Sequence, residues 1–425
     1  MFCGNCFRDN ALVAQFRKLG HDTLLVPLYL PMRLDEEDQS HGTPIFFGGI
    51  NVYLDQKSAF FRKAPAWLRN VFSSPGFLKW AAGKAARTRA EDVGDLTLSM
   101  LQGENGNQAR DLNEMLGWLK SHRFGGTNSA SPGPDVICLS NALLIGMARK
   151  LKEELRAPLV CSLQGEDAFL DALPENFRKS CWQTLSERAR DIDLFVAPSR
   201  YYGDLMSRRE GIAADKIKVV YNGINLEGYR PAEALPSPPV LGYFARMCRE
   251  KGLHVLVDAY ILLRKRNCVP GLKLRVGGGC APTDEPFVEE LRGRLANAGL
   301  LDDAAFHPNL DRHAKIEFLR SLSVFSVPAI YGEGFGLYVI EALACGVPVV
   351  QPNVAAFPEL IRETEGGILS KRAEPLALAE AIEELLNDPK RLSAHSEKGL
   401  QAVRQKFSIQ RMAEQMTDIF RHLKR

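Results

Sequence analysis

Two carboxylates set around a glycine-rich turn are the residues of this chain best suited to chemistry. The segment reads Tyr331-Gly332-Glu333-Gly334-Phe335-Gly336-Leu337, with Glu341 further on and Gly346-Val347-Pro348-Val349-Val350 beyond it. The apolar run at 324–328 predicts a strand and residues 337–345 predict a helix. Glu333 then belongs at the carboxyl end of a parallel strand, where open α/β sheets take their ligands. Gly334 and Gly336 let backbone amides approach a ligand closely, and the helix start near Leu337 is a natural anion site. Glu341 falls about one turn inside that helix. A carboxylate accepts several hydrogen bonds and suits vicinal sugar hydroxyls, whereas bare amides suit a diphosphate.

A second element has the same form. Leu241-Gly242-Tyr243-Phe244-Ala245-Arg246 ends a strand, and Lys251-Gly252 opens a helix. Arg246 and Lys251 fall in the connecting loop, placed to neutralise phosphate charge. Basic loop residues are most often solvated; together with the glutamate pair these two form a coherent set. Gly277 to Gly279 follow another strand and read equally as a tight turn or as a neighbour of the diphosphate. His307, at a strand end, reads as a packed histidine.

The elements that must hold these residues alternate along the whole chain. Residues 10–19 predict a helix and 21–27 a strand. Strands are expected at 135–139, 158–163, 193–197 and 218–220, with helices at 143–155 and 175–190. After the proline-rich linker 229–239 the alternation restarts. Strands are expected at 240–244, 272–276, 304–307, 324–328 and 348–351, with helices at 252–265, 287–298, 312–321, 337–345 and 374–387. Such alternation means βαβ units and parallel sheets buried on both faces. The fold class is therefore α/β, with two doubly wound Rossmann-like domains. Residues 1–230 form the first domain and 237–407 the second; an amphipathic helix at 408–425 crosses back to the first. Residues 31–115 break the rhythm as an insertion, helical in its second half. Phe46, Phe47, Tyr53, Phe60, Phe61, Trp67, Phe72, Phe77 and Trp80 are interleaved there with Arg62, Lys63, Arg69, Lys79, Lys84, Arg87 and Arg89. A helical cap is the plain reading, and an acceptor-binding or membrane-surface patch the sharper one. Residues 103–109 and 124–134 read as loops.

Composition narrows the classes. The 54 basic and 51 acidic residues leave a net charge of +3, too balanced for nucleic acid as the partner. No apolar stretch is long enough to predict a transmembrane helix. The nine cysteines are odd in number and lie mostly in apolar runs, which fits a reducing cytoplasm. Cys3 and Cys6 form the only C-x-x-C, with no second pair to complete a metal site.

In this order, Arg246 with Lys251-Gly252, then the E-G-F-G-L turn with its second glutamate, then G-V-P-V-V, the chain resembles the retaining family 4 glycosyltransferases of GT-B fold. Val219-Val220-Tyr221-Asn222-Gly223-Ile224-Asn225, Val196-Ala197-Pro198-Ser199 and Glu365-Gly366-Gly367-Ile368-Leu369 are similar to minor segments of the same family. The resemblance implies two domains facing each other across a cleft. It implies a nucleotide-sugar donor with UDP or GDP, no further cofactor, and an acceptor that is a glycan, a lipid-linked molecule or a small molecule. By the same resemblance Arg246 and Lys251 bind the donor diphosphate, Glu333 meets the donor sugar, the amides of Gly334, Phe335, Gly336 and Leu337 hold sugar and phosphate, and Glu341 takes the ribose. The reaction is then a hexosyl transfer by front-face attack that requires no metal ion.

Two departures stand out. Where the family carries a histidine, this chain has Gln164, which can position a sugar hydroxyl but does not titrate near neutral pH. The family's first glycine loop would correspond to residues 2–5, leaving Gly4 as its donor-side remnant. Asp9 and Asn10 then read as caps of the following helix. A Rossmann-like domain should open with a strand, so about 10–15 further residues, with a strand of roughly five or six, are expected upstream. Without them the chain segments 24–26 and 136–138 are expected to lack a bonding neighbour. The expectation is thus a cytoplasmic glycosyltransferase, with peripheral contact at the inner membrane surface admitted by the insertion. The alternatives are a sugar-phosphate or sucrose-type synthase, a nucleotide-sugar epimerase, or a non-catalytic glycosyltransferase-like subunit.

Overall fold

The computed structural model describes residues 4–28, 36–40, 42–47, 90–122 and 133–423. Two parallel sheets organise them. The first is built from β1 (Ile137–Leu139), β2 (Leu159–Ser162), β3 (Leu194–Ala197) and β4 (Ile217–Val219), side by side in that order. The second contains β5 (Val240–Phe244), β6 (Lys273–Gly278), β7 (Ala304–Pro308), β8 (Val324–Phe325), β9 (Val349–Pro352) and β10 (Gly367–Ser370). Its order is β10-β9-β8-β5-β6-β7. The chain therefore winds outward one way from β5 and the other way from β8. β5 and β8 are paired through Leu241 with Val324 and Gly242 with Phe325. Their boundary is where the strand order reverses, the position at which such sheets bind ligands.

The strand residues explain the layering. In β2 and β3, Leu159, Cys161, Phe195 and Ala197 join one buried cluster, and Val160, Leu194 and Val196 join another. Successive side chains point to opposite faces, so a run apolar at every position buries both. The second of those faces is covered from both ends of the chain. Ala11, Leu12 and Phe16 of the helix Gly4–Lys18 pack with Met412, Ala413 and Met416 of the helix Ile409–Leu423. Burial of each such large side chain contributes about 1.5–3 kcal/mol. The last helix is reached by a return crossing, in which Ile224 N–H donates to Phe407 and Ile409 N–H donates to Ile224.

Several elements differ from expectation. The first helix begins at Gly4 rather than near Asn10, so Asp9 and Asn10 do not cap it. Asn10 instead donates its amide to Glu37 O (2.8 Å) and accepts from Gln39 N (2.8 Å), tying the helix to the loop at 36–40. Residues 21–27 form no strand. Leu25 O accepts from the Thr43 hydroxyl and Leu28 O from Phe47 N, so part of this backbone bonds to the 42–47 loop. Among the described residues β1 has no strand on its outer side, and a ladder needs a neighbour. Residues 367–370, read as a glycine loop, are an edge strand paired with β9. Helices at Phe357–Thr364 and Pro389–Lys406 went unread. Residues 103–105 form a 3₁₀ turn rather than a loop. Of the insertion, the helix Ala90–Gln102 and the helix Ala109–Ser121 are described. Phe47 is buried and Phe46 packs on Trp118. The other aromatic and basic residues named above, Tyr53 to Arg89, lie outside the described residues, as does Cys3. Among the described residues no helix is long and apolar enough to cross a membrane.

Candidate functional site

The site grows from the carboxyl ends of β5, β6 and β8. Gly336 adopts φ +95° at the turn into the helix Leu337–Ala344, a conformation that side chains rarely take. At Gly278 a side chain would place its Cβ only 1.9 Å from Ala245 O, so only glycine lets the end of β6 lie against the loop after β5. Ile330 N–H donates to Glu250 O, joining the glutamate loop to the lysine loop.

Glu333 and Lys251 meet at this junction. Lys251 Nζ donates to Glu333 Oε2 at 2.5 Å, and the Tyr338 hydroxyl donates to the same oxygen at 2.8 Å. Burial opposes ionisation of Glu333. The Lys251 charge and hydrogen bond, helped by the Tyr338 hydroxyl and the Phe335 amide, outweigh it and hold the carboxyl below its usual range. Burial likewise pulls on the Lys251 ammonium, and Glu333 more than reverses it, so Lys251 titrates above its usual value. Both groups are therefore charged at neutral pH. Glu333 keeps 16% of its side-chain surface exposed and Lys251 33%, so neither side chain is fully enclosed.

An elongated cleft opens beside this pair. On one wall stand Arg246, Gly278, Leu337, Tyr338 and Glu341; on the facing wall stand Gly4, Phe7, Arg8 and Ala11 of the first helix. A Cβ on Gly4 would sit 3.8 Å from Leu337 Cδ1, so the two helix starts converge. The N-terminus of the helix Leu337–Ala344 brings partial positive charge to this place. Arg246 is gripped in a two-pronged pair by the buried Asp284, Nε to Oδ2 at 3.0 Å and Nη2 to Oδ1 at 2.8 Å. Its side chain is still 60% exposed. Glu341 accepts from Lys315 Nζ at 2.8 Å and from the Tyr229 hydroxyl at 3.0 Å. It is therefore oriented rather than loosely solvated.

Not every expected residue converges. Arg246, Gly4, Leu337 and Glu341 share the cleft wall. Glu333 and Lys251 adjoin it through Tyr338, which both lines the cleft and bonds Glu333. Phe335 is buried against Tyr221 and Phe407, and its amide serves the Glu333 carboxylate. The turn is thus not a row of bare amides, because the loop must satisfy its own buried carboxylate. Gln164 is not part of the cleft wall. Its Oε1 accepts from Asn222 Nδ2 (3.2 Å) and its backbone N–H donates to the buried Glu166 (2.7 Å). His307 packs edge-on against Phe318.

Other residues escaped the sequence reading. Ser199 accepts from Tyr202 N and donates its hydroxyl to Gly334 O at 2.7 Å, so a helix cap doubles as a strut for the glutamate loop. Glu359, from the far half of the chain, accepts from the amides of Arg200 (3.0 Å) and Tyr201 (3.1 Å) and from the Tyr221 hydroxyl (3.0 Å). A carboxylate at the start of the helix Arg200–Glu210 complements its dipole. The only signal available was a serine at a strand end and a glutamate after Pro358; neither says which helix it will meet.

Residues 227–402 match the family described as Glycosyl transferases group 1, and residues 100–227 match Glycosyltransferase Family 4. The chain is 32% identical over 220 residues to a lipopolysaccharide core biosynthesis mannosyltransferase of Rhizobium meliloti, covering 49% of this chain and 61% of that protein. It is 29% identical over 236 residues to a D-inositol 3-phosphate glycosyltransferase of Streptomyces scabiei, covering 52% of this chain and 51% of that one. The chain thus spans between half and three-fifths of the length of these curated relatives. In fold it is similar to the Anabaena protein Alr3699/HepE, crystallised in complex with UDP. The TM-score is 0.62 at 20% identity, over 75% of this chain and 84% of that one.

Proposed function

The chain belongs to the family 4 glycosyltransferases of GT-B fold, and from that premise we propose that it transfers a hexosyl group from a UDP- or GDP-sugar to an acceptor hydroxyl with retention of configuration. One observation carries the reading: Arg246, Glu341 and the helix start at Leu337 share one cleft at the strand-order reversal, with the ionised Lys251–Glu333 pair adjoining it. The named activities of the relatives, a mannosyltransferase and an inositol-phosphate glycosyltransferase, are consistent with it.

In the reaction the bond between the sugar's anomeric carbon and the β-phosphate oxygen breaks. The bond from that carbon to the acceptor oxygen forms on the same face. The acceptor proton passes to the departing phosphate, so no protein nucleophile is required. Negative charge grows on the leaving diphosphate. Arg246, already aimed by Asp284, and Lys251, already aimed by Glu333, meet that charge without reorganising, together with the helix start. Positive groups held in advance do the work assigned to a metal ion elsewhere. Glu341, oriented by Lys315 and Tyr229, is set to accept ribose hydroxyls. The aromatic and basic residues between 46 and 89 favour an acceptor presented at an anionic membrane surface in the cytoplasm. Co-sedimentation with anionic vesicles, lost at high salt, tests that part.

The central test is transfer and donor hydrolysis over a panel of UDP- and GDP-sugars. Activity with at least one donor is expected. Unchanged activity in both Glu333→Ala and Lys251→Ala would sink the site assignment.

A further inference from the structure

The facing wall of the cleft carries a charge that the reading above leaves unused. Arg8 is 4% exposed and lies on the cleft face of the first helix, with Gly4, Phe7 and Ala11. Its Nε and Nη2 donate to Asp9 Oδ1 (2.8 and 2.5 Å), and Nη2 also donates to Ser140 O at 3.2 Å. Its Nη1 is buried with no hydrogen-bond partner. Leaving a buried cationic donor unpaired is costly, so the group calls for an explanation, and a bound anion is one.

The neighbouring charges do not supply the missing partner. Glu341 is taken by Lys315, and Asp284 by Arg246. Glu36, also on the cleft, pairs with Arg312 at 3.3 Å and accepts from Asn225. Asp9 answers only the other edge of the guanidinium. Burial also raises its carboxyl pKa against the opposing pull of Arg8, so it is a reluctant counter-ion. The rest of the cleft near Gly4 has positive potential from the helix start at Leu337.

We propose that Arg8 is an oxyanion-binding residue, which presents Nη1 to a phosphate oxygen of bound substrate at the wall opposite Arg246. Arg8 already forms part of that wall, so a change in the terminal torsions of a long side chain is enough to present the free nitrogen. The fork is half occupied by Asp9 and Ser140, which fixes the direction of the other half. Two sources carry this chemistry, the leaving nucleoside diphosphate and an anionic group on the acceptor. The proposal rests on the glycosyltransferase reading for its substrate.

Calorimetric titration of the full chain separates the sources. The probes are UDP, GDP, UMP and inorganic phosphate, the last also on protein saturated with nucleoside diphosphate. Wild type is compared with Arg8→Gln and Arg8→Lys, and melting temperature is followed in parallel. If the diphosphate is the ligand, Arg8→Gln weakens UDP or GDP about ten-fold or more and UMP little. If the acceptor's anion is the ligand, diphosphate affinity persists. Phosphate binding to the saturated protein then falls about ten-fold. In either case Arg8→Lys keeps the charge, loses the fork and falls between the two. Should Arg8→Gln fail to fold, Arg8→Lys provides the same comparison at smaller amplitude. Identical affinities in wild type and the folded variants, with only the melting temperature altered, overturn the proposal. A wild-type protein that binds no nucleoside diphosphate, yet binds phosphate through Arg8, defeats the glycosyltransferase reading and leaves this one standing. Binding of neither defeats both.

Discussion

Arg246 and Arg8, on the two walls of the cleft, are held in different ways. On the wall built from the second sheet, Arg246 and Glu341 each have a partner within 3.0 Å, as do the adjoining Lys251 and Glu333. In the first half of the chain, some buried ionisable groups keep atoms without a partner. Arg8 Nη1 has no partner, and neither oxygen of Glu210 has one. The difference teaches where preorganisation is stored. Arg246, Lys251, Glu333 and Glu341 are held in fixed directions before any ligand arrives, the arrangement that stabilising a developing charge calls for. Arg8 keeps a nitrogen whose partner, on the proposal above, a substrate brings, and Glu210 stays neutral.

The comparison breaks most sharply at the Lys251–Glu333 pair. Lys251→Met is expected to lower transfer rate by about 10²–10³-fold, the loss typical of one preorganised group opposite developing charge. It should also destabilise the protein by about 1–3 kcal/mol, because the Glu333 carboxylate loses its counter-charge and keeps only the Tyr338 hydroxyl and the Phe335 amide. Lys251→Met with Glu333→Gln should recover most of the stability but not the rate. Denaturant titration beside initial-rate kinetics reads both. Glu333 titrates below its usual value, so the pair's contribution to stability is complete above about pH 4.5 and is lost as pH falls below that.

Glu210 sharpens the other side. Burial, aided by the charge of Glu166, pushes its carboxyl up to about 9. The native state therefore holds a proton that the unfolded chain has released, and stability falls as pH rises from the ordinary carboxyl range towards 9. Glu210→Met should remove that slope and stabilise the protein on the order of 3 kcal/mol at pH 7. Thermal melts across pH 5–9 check it; a slope unchanged in the variant would show that another group titrates.

Smaller effects are expected where the halves touch. Glu359→Gln keeps the shape but removes the charge at the start of the helix Arg200–Glu210, costing about 1 kcal/mol of stability. A fall in kcat with KM retained would show that Glu359, by fixing the start of the helix capped by Ser199, orients the glutamate loop through that strut rather than only gluing the halves together. Gln164→Ala is expected to cost least, about 1 kcal/mol, by leaving the Asn222 amide unpaired. A rate loss above about ten-fold would move Gln164 into the substrate site, against its present place.

Around the glutamate and lysine loops the sequence pattern and the structure agree, because the information there is local. β5 falls on the expected residues 240–244, and the turn at Gly334–Gly336 could only be a close approach of backbone to something. Residues 21–27 show the limit. They have a strand's composition, yet pairing depends on a neighbour that no local pattern supplies. The same limit hid Asp284 beside Arg246, which lies 38 positions away, and Glu359 beneath Arg200, 159 positions away.

What the residues determined alone was the alternation of strands and helices and the identity of the groups to which the proposed function assigns the donor. Those follow from apolar period, proline and glycine chemistry, and the charge of side chains. What tertiary structure decided was which of those charges stand paired. That Arg246 is aimed, that Phe335 gives its amide to Glu333, and that Arg8 keeps one nitrogen without a partner are all outcomes of packing. The reason is physical: burial sets the cost of an unpaired charge, and burial is a property of elements brought together from distant parts of the chain.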